Sequence, residues 1–262
     1  MGIKKELLKF RVVSNMVQKR VSNDLYRQNR DVVKKLESLK DIHKGERCFI
    51  IGTGPSLTIA DLEKLHDEYT FGTNRIYELF CKTTWRPTYY VNQDHTLIKE
   101  LYTKIDAIEA ELKFIPVDYR NLLSGDNYRY FVLRHKDFFP NRAPFSFDPS
   151  KFIAQGFTVT YGAIQIAVYM GFKEIYLLGV DHNYSVYRDS KGHSIKQKKK
   201  ANNYSKYISD LVLPNNLPRI EETTIAYETA EVITKKMGIK VYNATRGGKL
   251  EAFERRDFDS LF

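Results

Sequence analysis

The chain has 262 residues, 42% of them hydrophobic and 28% charged, with a formal charge of +10. That length buries a large core in a single α/β domain with appendages, and two cysteines, Cys48 and Cys81, exclude a disulfide framework and a cysteine zinc site. No run approaches the roughly 18–20 apolar residues of a membrane span and the N-terminus lacks the apolar core of a signal peptide, so the expected location is cytoplasmic.

Residues 1–47 hold 13 Lys or Arg against 6 Asp or Glu, a net +7. Ile3, Leu7, Leu8, Val12 and Met16, then Val32, Val33, Leu36 and Leu39, recur at helical spacing among the basic residues. Residues 1–44 therefore read as a basic extension of two amphipathic helices. They would cap the main domain, pair with another subunit in an oligomer, or lie peripherally on the anionic inner face of a membrane.

From residue 45 the pattern becomes an α/β domain reaching to 262. Apolar runs predict strands at 46–51, 69–73, 88–92, 113–117, 129–133, 173–180 and 239–242, and helical spacing predicts helices at 57–66, 96–111, 158–170 and 222–237. That alternation specifies a Rossmann-like, doubly wound, mainly parallel sheet with helices on both faces. The strands run out into Gly52, Asn74, Asn92, Asp118, Asp181 and Asn243, and in such a sheet the ligand crevice lies beyond those carboxyl ends. Segment 182–221 has little apolar periodicity and carries Tyr184, Tyr187, Tyr204, Tyr207 and the cluster Lys191, Lys196, Lys198, Lys199 and Lys200. It reads as a lid over the crevice.

The first strand and its loop read "CFIIGTGPSL". Gly52 and Gly54 suit a tight turn and close backbone approach to a ligand, Pro55 the first turn of a helix, and Ser56 a hydroxyl contact; amides at a helix N-terminus favour a phosphate. No Gly-Lys-Ser/Thr follows, which excludes a Walker loop. Leu57 stands where a dinucleotide fingerprint has its third glycine, and Asn74 where such proteins place an acid. The loop suggests a nucleotide of another kind, or a tight turn without a ligand.

Asp181 and His182 end the most apolar strand, where an imidazole suits a general base, though neighbours on a strand point to opposite faces. Asp94 follows the third strand, and with Asp181 it could hold a magnesium ion on a phosphate. The Asp257-Phe258-Asp259 triplet imitates the Asp-x-Asp metal motif but follows the last predicted strand. The 18 Tyr and 16 Phe sit mostly inside strand and helix patterns and read as core, so nucleic acid is not the expected partner.

The segments "IIGTGPSL", "FGTNRIY", "TYYVNQD", "TVTYGAIQIAVYMGFKEIYLLGVDHNY" and "GIKVYNATRGGKLEAF" resemble the bacterial 6-hydroxymethylpterin diphosphokinase-like domain family over about residues 41–262. More distantly they are similar to the family 42 glycosyltransferases, the lipooligosaccharide sialyltransferases, whose donor is a cytidine monophosphate sugar. The resemblance implies that Gly52, Thr53, Gly54, Pro55 and Ser56 line the nucleotide, that Asn74, Asn92 and Asp94 contact sugar, base or phosphate, and that Thr158 and Thr160 open a helix beside it. Tyr184 and Tyr187 would hold the departing phosphate; the sialyltransferases' base lies within the lid, where His193 is the candidate, while the residues themselves make His182, beside Asp181, the first choice to take the acceptor's proton. Thr53 replaces the usual asparagine, and Val159 and Thr160 stand where the sialyltransferases have serine and glycine. The expected function is thus sugar transfer from a nucleotide-sugar donor to a glycan or lipid-linked glycan in surface polysaccharide biosynthesis, with no metal. The alternatives are Mg2+-dependent diphosphate transfer from ATP to a pterin-like alcohol and a nucleotide-binding module without chemistry.

Overall fold

The computed structural model describes residues 2–196, 205, 206, 208 and 217–262, with the side chains of residues 2–9 left aside. The chain opens with a single helix, α1 (Gly2–Gln28), then the short α2 (Arg30–Val33) and a 3-10 turn, Lys34–Leu39. The extension is therefore not two equal helices. Asn29 interrupts it, its side-chain amide donating to the Leu25 carbonyl of α1. Val33, Leu36 and Leu39 are buried in the common core, α2 and the 3-10 turn pack on the fifth strand, and the amides of Asp41, His43 and Gly45 donate to Tyr169, Met170 and Gly171. The second half of the extension is thus tied into the body of the protein.

Eight parallel strands form the central sheet. They are β1 (Arg47–Ile51), β2 (Thr70–Thr73), β3 (Tyr89–Val91), β4 (Leu112–Pro116), β5 (Tyr128–Phe131), and, after the short pair β6 (Leu133–Arg134) and β7 (Ile153–Ala154), β8 (Glu174–Leu178). A hairpin, β9 (Val186–Arg188) and β10 (Ser194–Lys196), follows, and β11 (Lys240–Asn243) and β12 (Glu254–Arg255) finish the sheet. The spatial order is β12-β11-β8-β1-β2-β3-β4-β5. From β1 the chain winds one way to β5, then returns to place β8 on the other side of β1.

Helix α3 (Ile59–Glu63) follows β1, α4 (His95–Asp106) follows β3, α5 (Val159–Met170) precedes β8 and α6 (Ile220–Lys236) precedes β11. Every residue of α5 is buried, as expected of a helix apolar all round and packed between sheet and neighbours. It lies against β1, β2, β3 and α6. In-register aromatics Phe49, Tyr176 and Tyr242 line up across β1, β8 and β11, with ring centroids 5.1 Å apart at each step. The C-terminal turn Phe258–Leu261 sets Phe258 edge-on to Phe49.

That turn disposes of the Asp257-Phe258-Asp259 triplet as a metal motif. Asp257 caps the turn on the Asp259 amide, and Asp259 pairs with Lys64 and Arg246, which hold its carboxyl down at about 2.

Candidate functional site

The carboxyl ends of β1 and β8 lie side by side, with Ile51 opposite Leu178. This is where the winding reverses, the switch point at which open α/β sheets leave a crevice. A cavity of about 760 Å³ opens there, within the 300–1,000 Å³ or so of small-molecule sites.

The loops leaving β1 and β8 cross in contact. The Gly52 amide donates to Leu178 O and the Gly54 amide to Gly179 O, both at 2.8 Å. A Cβ on Gly52 would lie 2.5 Å from Gly179 O, and one on Gly54 would lie 2.0 Å from Asp181 Oδ2. Neither glycine has a left-handed backbone; that conformation falls to Gly179. So Gly52 and Gly54 are required by the approach of the second loop, and two of the loop's amides are committed to protein carbonyls. Helix α3 begins only at Ile59, and its first turn is closed by a Thr58–Asp61 capping box. The amide cradle read from the sequence is therefore not assembled at this helix: Pro55 and Ser56 form a separate turn, and Ser56 Oγ donates to Asp181 Oδ2 at 2.7 Å.

The uncapped helix end at the cavity belongs to α5. Its N-cap Thr158 makes no side-chain capping bond, and Thr158, Val159 and Thr160 line the cavity. The positive end of the helix dipole is thereby directed at the crevice. Gln93 fixes this end by donating from Nε2 to Thr158 O at 2.8 Å. Arg188 and Arg219 also line the cavity, their backbones joined by a parallel bridge, with the Arg219 guanidinium over the Phe157 ring. Among the described residues Arg188 Nε has no hydrogen-bond partner, and neither do Asn74 Oδ1, Gln93 Oε1 and Asn183 Oδ1, all from residues of the cavity wall. The wall is cationic at the two arginines, of which Arg219 also pairs with Glu222 at 3.3 Å; the three oxygens are buried behind the wall, Gln93 Oε1 turned towards Gly162 of α5.

Backbone strain gathers at the same place. Of the four non-glycine residues with positive φ among those described, Asn74, Phe157 and His182 line the cavity. Such conformations cost about 1–3 kcal/mol each and concentrate at functional sites.

Gly52, Thr53, Gly54, Asn74, Asp94, Thr158, Thr160, Asp181, His182 and Tyr184 all stand on the wall of this one cavity. Asn92 lies beneath it, fully buried, its amide donating to Tyr90 Oη and its carbonyl accepting from the Asp94 amide. Asp94 caps α4, accepting from the amides of Thr96 and Leu97. Tyr187 sits in β9 opposite Ile195, and His193 is an exposed residue of the same hairpin, its Nδ1 3.2 Å from Asp189 Oδ2; neither lines the cavity. Of the lid segment, 182–188 and 217–219 contribute wall residues, and Ser205 donates from its amide to Thr53 O and from Oγ to Leu57 O. Lys198, Lys199, Lys200, Tyr204 and Tyr207 lie outside the described residues. The two arginines went unread in the sequence, where only their alternation with Tyr187 and Pro218 marked them.

Burial pushes the Asp181 carboxyl up, against the opposing hydrogen bonds from Ser56. It drives His182 down to about 4. Thr224 Oγ1 donates to Ile220 O, so its oxygen accepts from His182 Nε2–H at 2.8 Å, which leaves Nδ1 with the lone pair. His182 is a neutral base at pH 7. A histidine that titrates at 6.5 unfolded but near 4 folded leaves stability untouched above pH 6.5 and removes it as pH falls from there towards 4. By pH 5 the loss is about 2 kcal/mol. Urea denaturation of His182→Gln should show less acid sensitivity than wild type by about that amount between pH 7.5 and 5; equal losses would show that the ring is solvated.

The reversed strand order and the cavity at the reversal define a Rossmann-like α/β protein. Residues 23–186 match the family described as 6-hydroxymethylpterin diphosphokinase MptE-like, and the chain belongs to that family. Among solved structures it is similar to the MAf glycosyltransferase from Magnetospirillum magneticum AMB-1, with a TM-score of 0.53 and 15% identity, over 88% of this chain and 39% of that one. At that identity the likeness is one of fold, and the chain matches well under half of that enzyme's length. No curated protein matches the chain.

Proposed function

We propose that this protein is a transferase that binds a nucleotide-linked donor in the switch-point cavity, and that the group transferred is a sugar. The observation that carries this reading is the positive charge gathered on the cavity wall. Arg188, Arg219 and the uncapped end of α5 supply positive charge to a phosphate leaving group, whose negative charge grows in the transition state. His182, neutral and hydrogen-bonded through Nε2, is the group to take the acceptor's proton, and an anionic ligand nearby would raise its basicity. Support for the class comes from the family and from the glycosyltransferase fold; a cytidine monophosphate donor, a glycan or lipid-linked glycan acceptor and a role in surface polysaccharide synthesis extend the reading.

The family's own description favours a second reading, diphosphate transfer to a pterin alcohol. That chemistry needs Mg2+ on the polyphosphate. Among the described residues no three His, Cys, Asp or Glu side chains are grouped to hold a metal. Magnesium needs only one or two carboxylates when phosphates complete its shell, and Asp94 and Asp181 on the cavity wall would supply them.

A thermal-shift panel of cytidine, uridine, guanosine and adenosine nucleotides should raise the melting temperature with at least one base. Arg188→Ala and Arg219→Ala should each weaken that binding by at least about ten-fold, the scale of one charge-assisted hydrogen bond. Nucleotides without effect, or arginine variants that bind as wild type, would remove the phosphate assignment. In transfer assays, loss of activity with EDTA would select the diphosphokinase reading over sugar transfer.

A further inference from the structure

Helix α1 is docked by its polar side. Arg11 donates from Nε and Nη2 to Asp137 O, and Asn15 exchanges side-chain bonds with the Asp137 carbonyl and amide. Two turns on, Arg134 donates to Ser22 Oγ and Asn23 Oδ1. The apolar side therefore faces outward: Phe10, Val13, Met16 and Val17 are between 52 and 75% exposed. An amphipathic helix ordinarily buries that side. A contiguous exposed apolar stripe marks a surface that meets another apolar phase.

We propose that α1 lies in the interface of an anionic lipid bilayer, its apolar stripe among the acyl chains. Charge selects this occupant. The helix carries seven Lys or Arg against two acids, so a second copy laid along it would bring like charge to like, whereas an anionic leaflet attracts it. No helix among the described residues is long and apolar enough to cross a membrane, so α1 is an in-plane anchor.

The test is flotation of the full chain with vesicles of phosphatidylcholine alone or mixed with phosphatidylglycerol. Binding is expected only with the anionic lipid and should decline as salt rises. Val13→Glu/Val17→Glu, at exposed positions that packing does not constrain, should reduce the bound fraction at least about ten-fold by removing apolar insertion. No flotation at low salt, or equal flotation with neutral vesicles, would overturn the proposal. So would a dimer by light scattering that the double Glu variant converts to monomer, since the stripe would then join two copies.

Discussion

Gly54→Ala is expected to lower the melting temperature by roughly 6–12 °C and to abolish stabilisation by nucleotide. The added methyl would stand 2.0 Å from Asp181 Oδ2 and 2.6 Å from Gly179 O, and neither can retreat cheaply. Gly179 O accepts the Gly54 amide itself, and Asp181 is held at its carboxylate by Ser56 Oγ and at its backbone carbonyl by the Lys249 amide, both at 2.7 Å. The β1 loop must therefore lift away, which breaks the Gly54–Gly179 and Ser56–Asp181 hydrogen bonds. Overpacking at about 1–3 kcal/mol with one or two lost hydrogen bonds gives a cost of about 3 kcal/mol, and for a chain of this size each kcal/mol moves the transition by about 2–4 °C. Melting curves with and without nucleotide measure both effects. The double variant Gly54→Ala/Asp181→Ala should recover part of the loss, because it removes the nearer of the two collisions. A single variant that melts like wild type would mean the loops do not cross in contact.

Gln165→Leu should be at least as damaging although it lies away from the cavity. Its Oε1 accepts from the amides of Ser146 and Ala154 at 2.8 and 3.0 Å, and its Nε2 donates to the carbonyls of Ala154 and Tyr161 at 2.9 and 3.0 Å. The residue is completely buried, so leucine fills the space and leaves the Ser146 and Ala154 groups without partners or water. At about 1–3 kcal/mol for each stranded group the loss exceeds about 3 kcal/mol. The clamp also seats α5 against residues 146–154, so the first turn of α5 at Thr158 and Thr160 should loosen. Faster amide exchange at Ser146 and Ala154, together with weaker nucleotide binding, is the expected signature. Unchanged exchange at both amides would contradict the clamp.

Each of the seven principal strands falls on a run predicted from the sequence, because a parallel sheet covered on both faces demands continuous apolar residues that local reading detects. Helices α5 and α6 begin and end within two residues of expectation for the same reason. What escaped local reading depends on distant partners. Helix α4 stops at Asp106 rather than running to 111, and Lys113 from β4 donates to the Ile105 and Asp106 carbonyls at that end. The pairs β6–β7 and β9–β10 are too short to carry a period, and β12 is a two-residue edge. At the site, topology brings three of the six expected strand-end residues to the wall, Gly52, Asn74 and Asp181; Asn92 lies beneath it, and Asp118 and Asn243 do not line it. The role of Gly54 was not legible, since its reason is a carboxylate more than a hundred residues away. Arg188 and Arg219 were hidden among the other charges of the lid, and the end of α5 was marked only by Thr158.

The position of β8 in the sheet also governs how the protein is made. Residue 47 pairs with residue 174, so once β1 to β5 have left the ribosome, β1 ends that half-sheet and shows an unpaired, wholly buried-type edge of Cys-Phe-Ile-Ile. Synthesis at about 5–20 residues per second leaves that edge open for roughly 2–9 s. An apolar, unpaired edge is a template for pairing between chains. Nascent chains stalled before residue 174 should therefore self-associate or hold a chaperone, and release from either should coincide with the arrival of Glu174–Leu178 beside Arg47–Ile51.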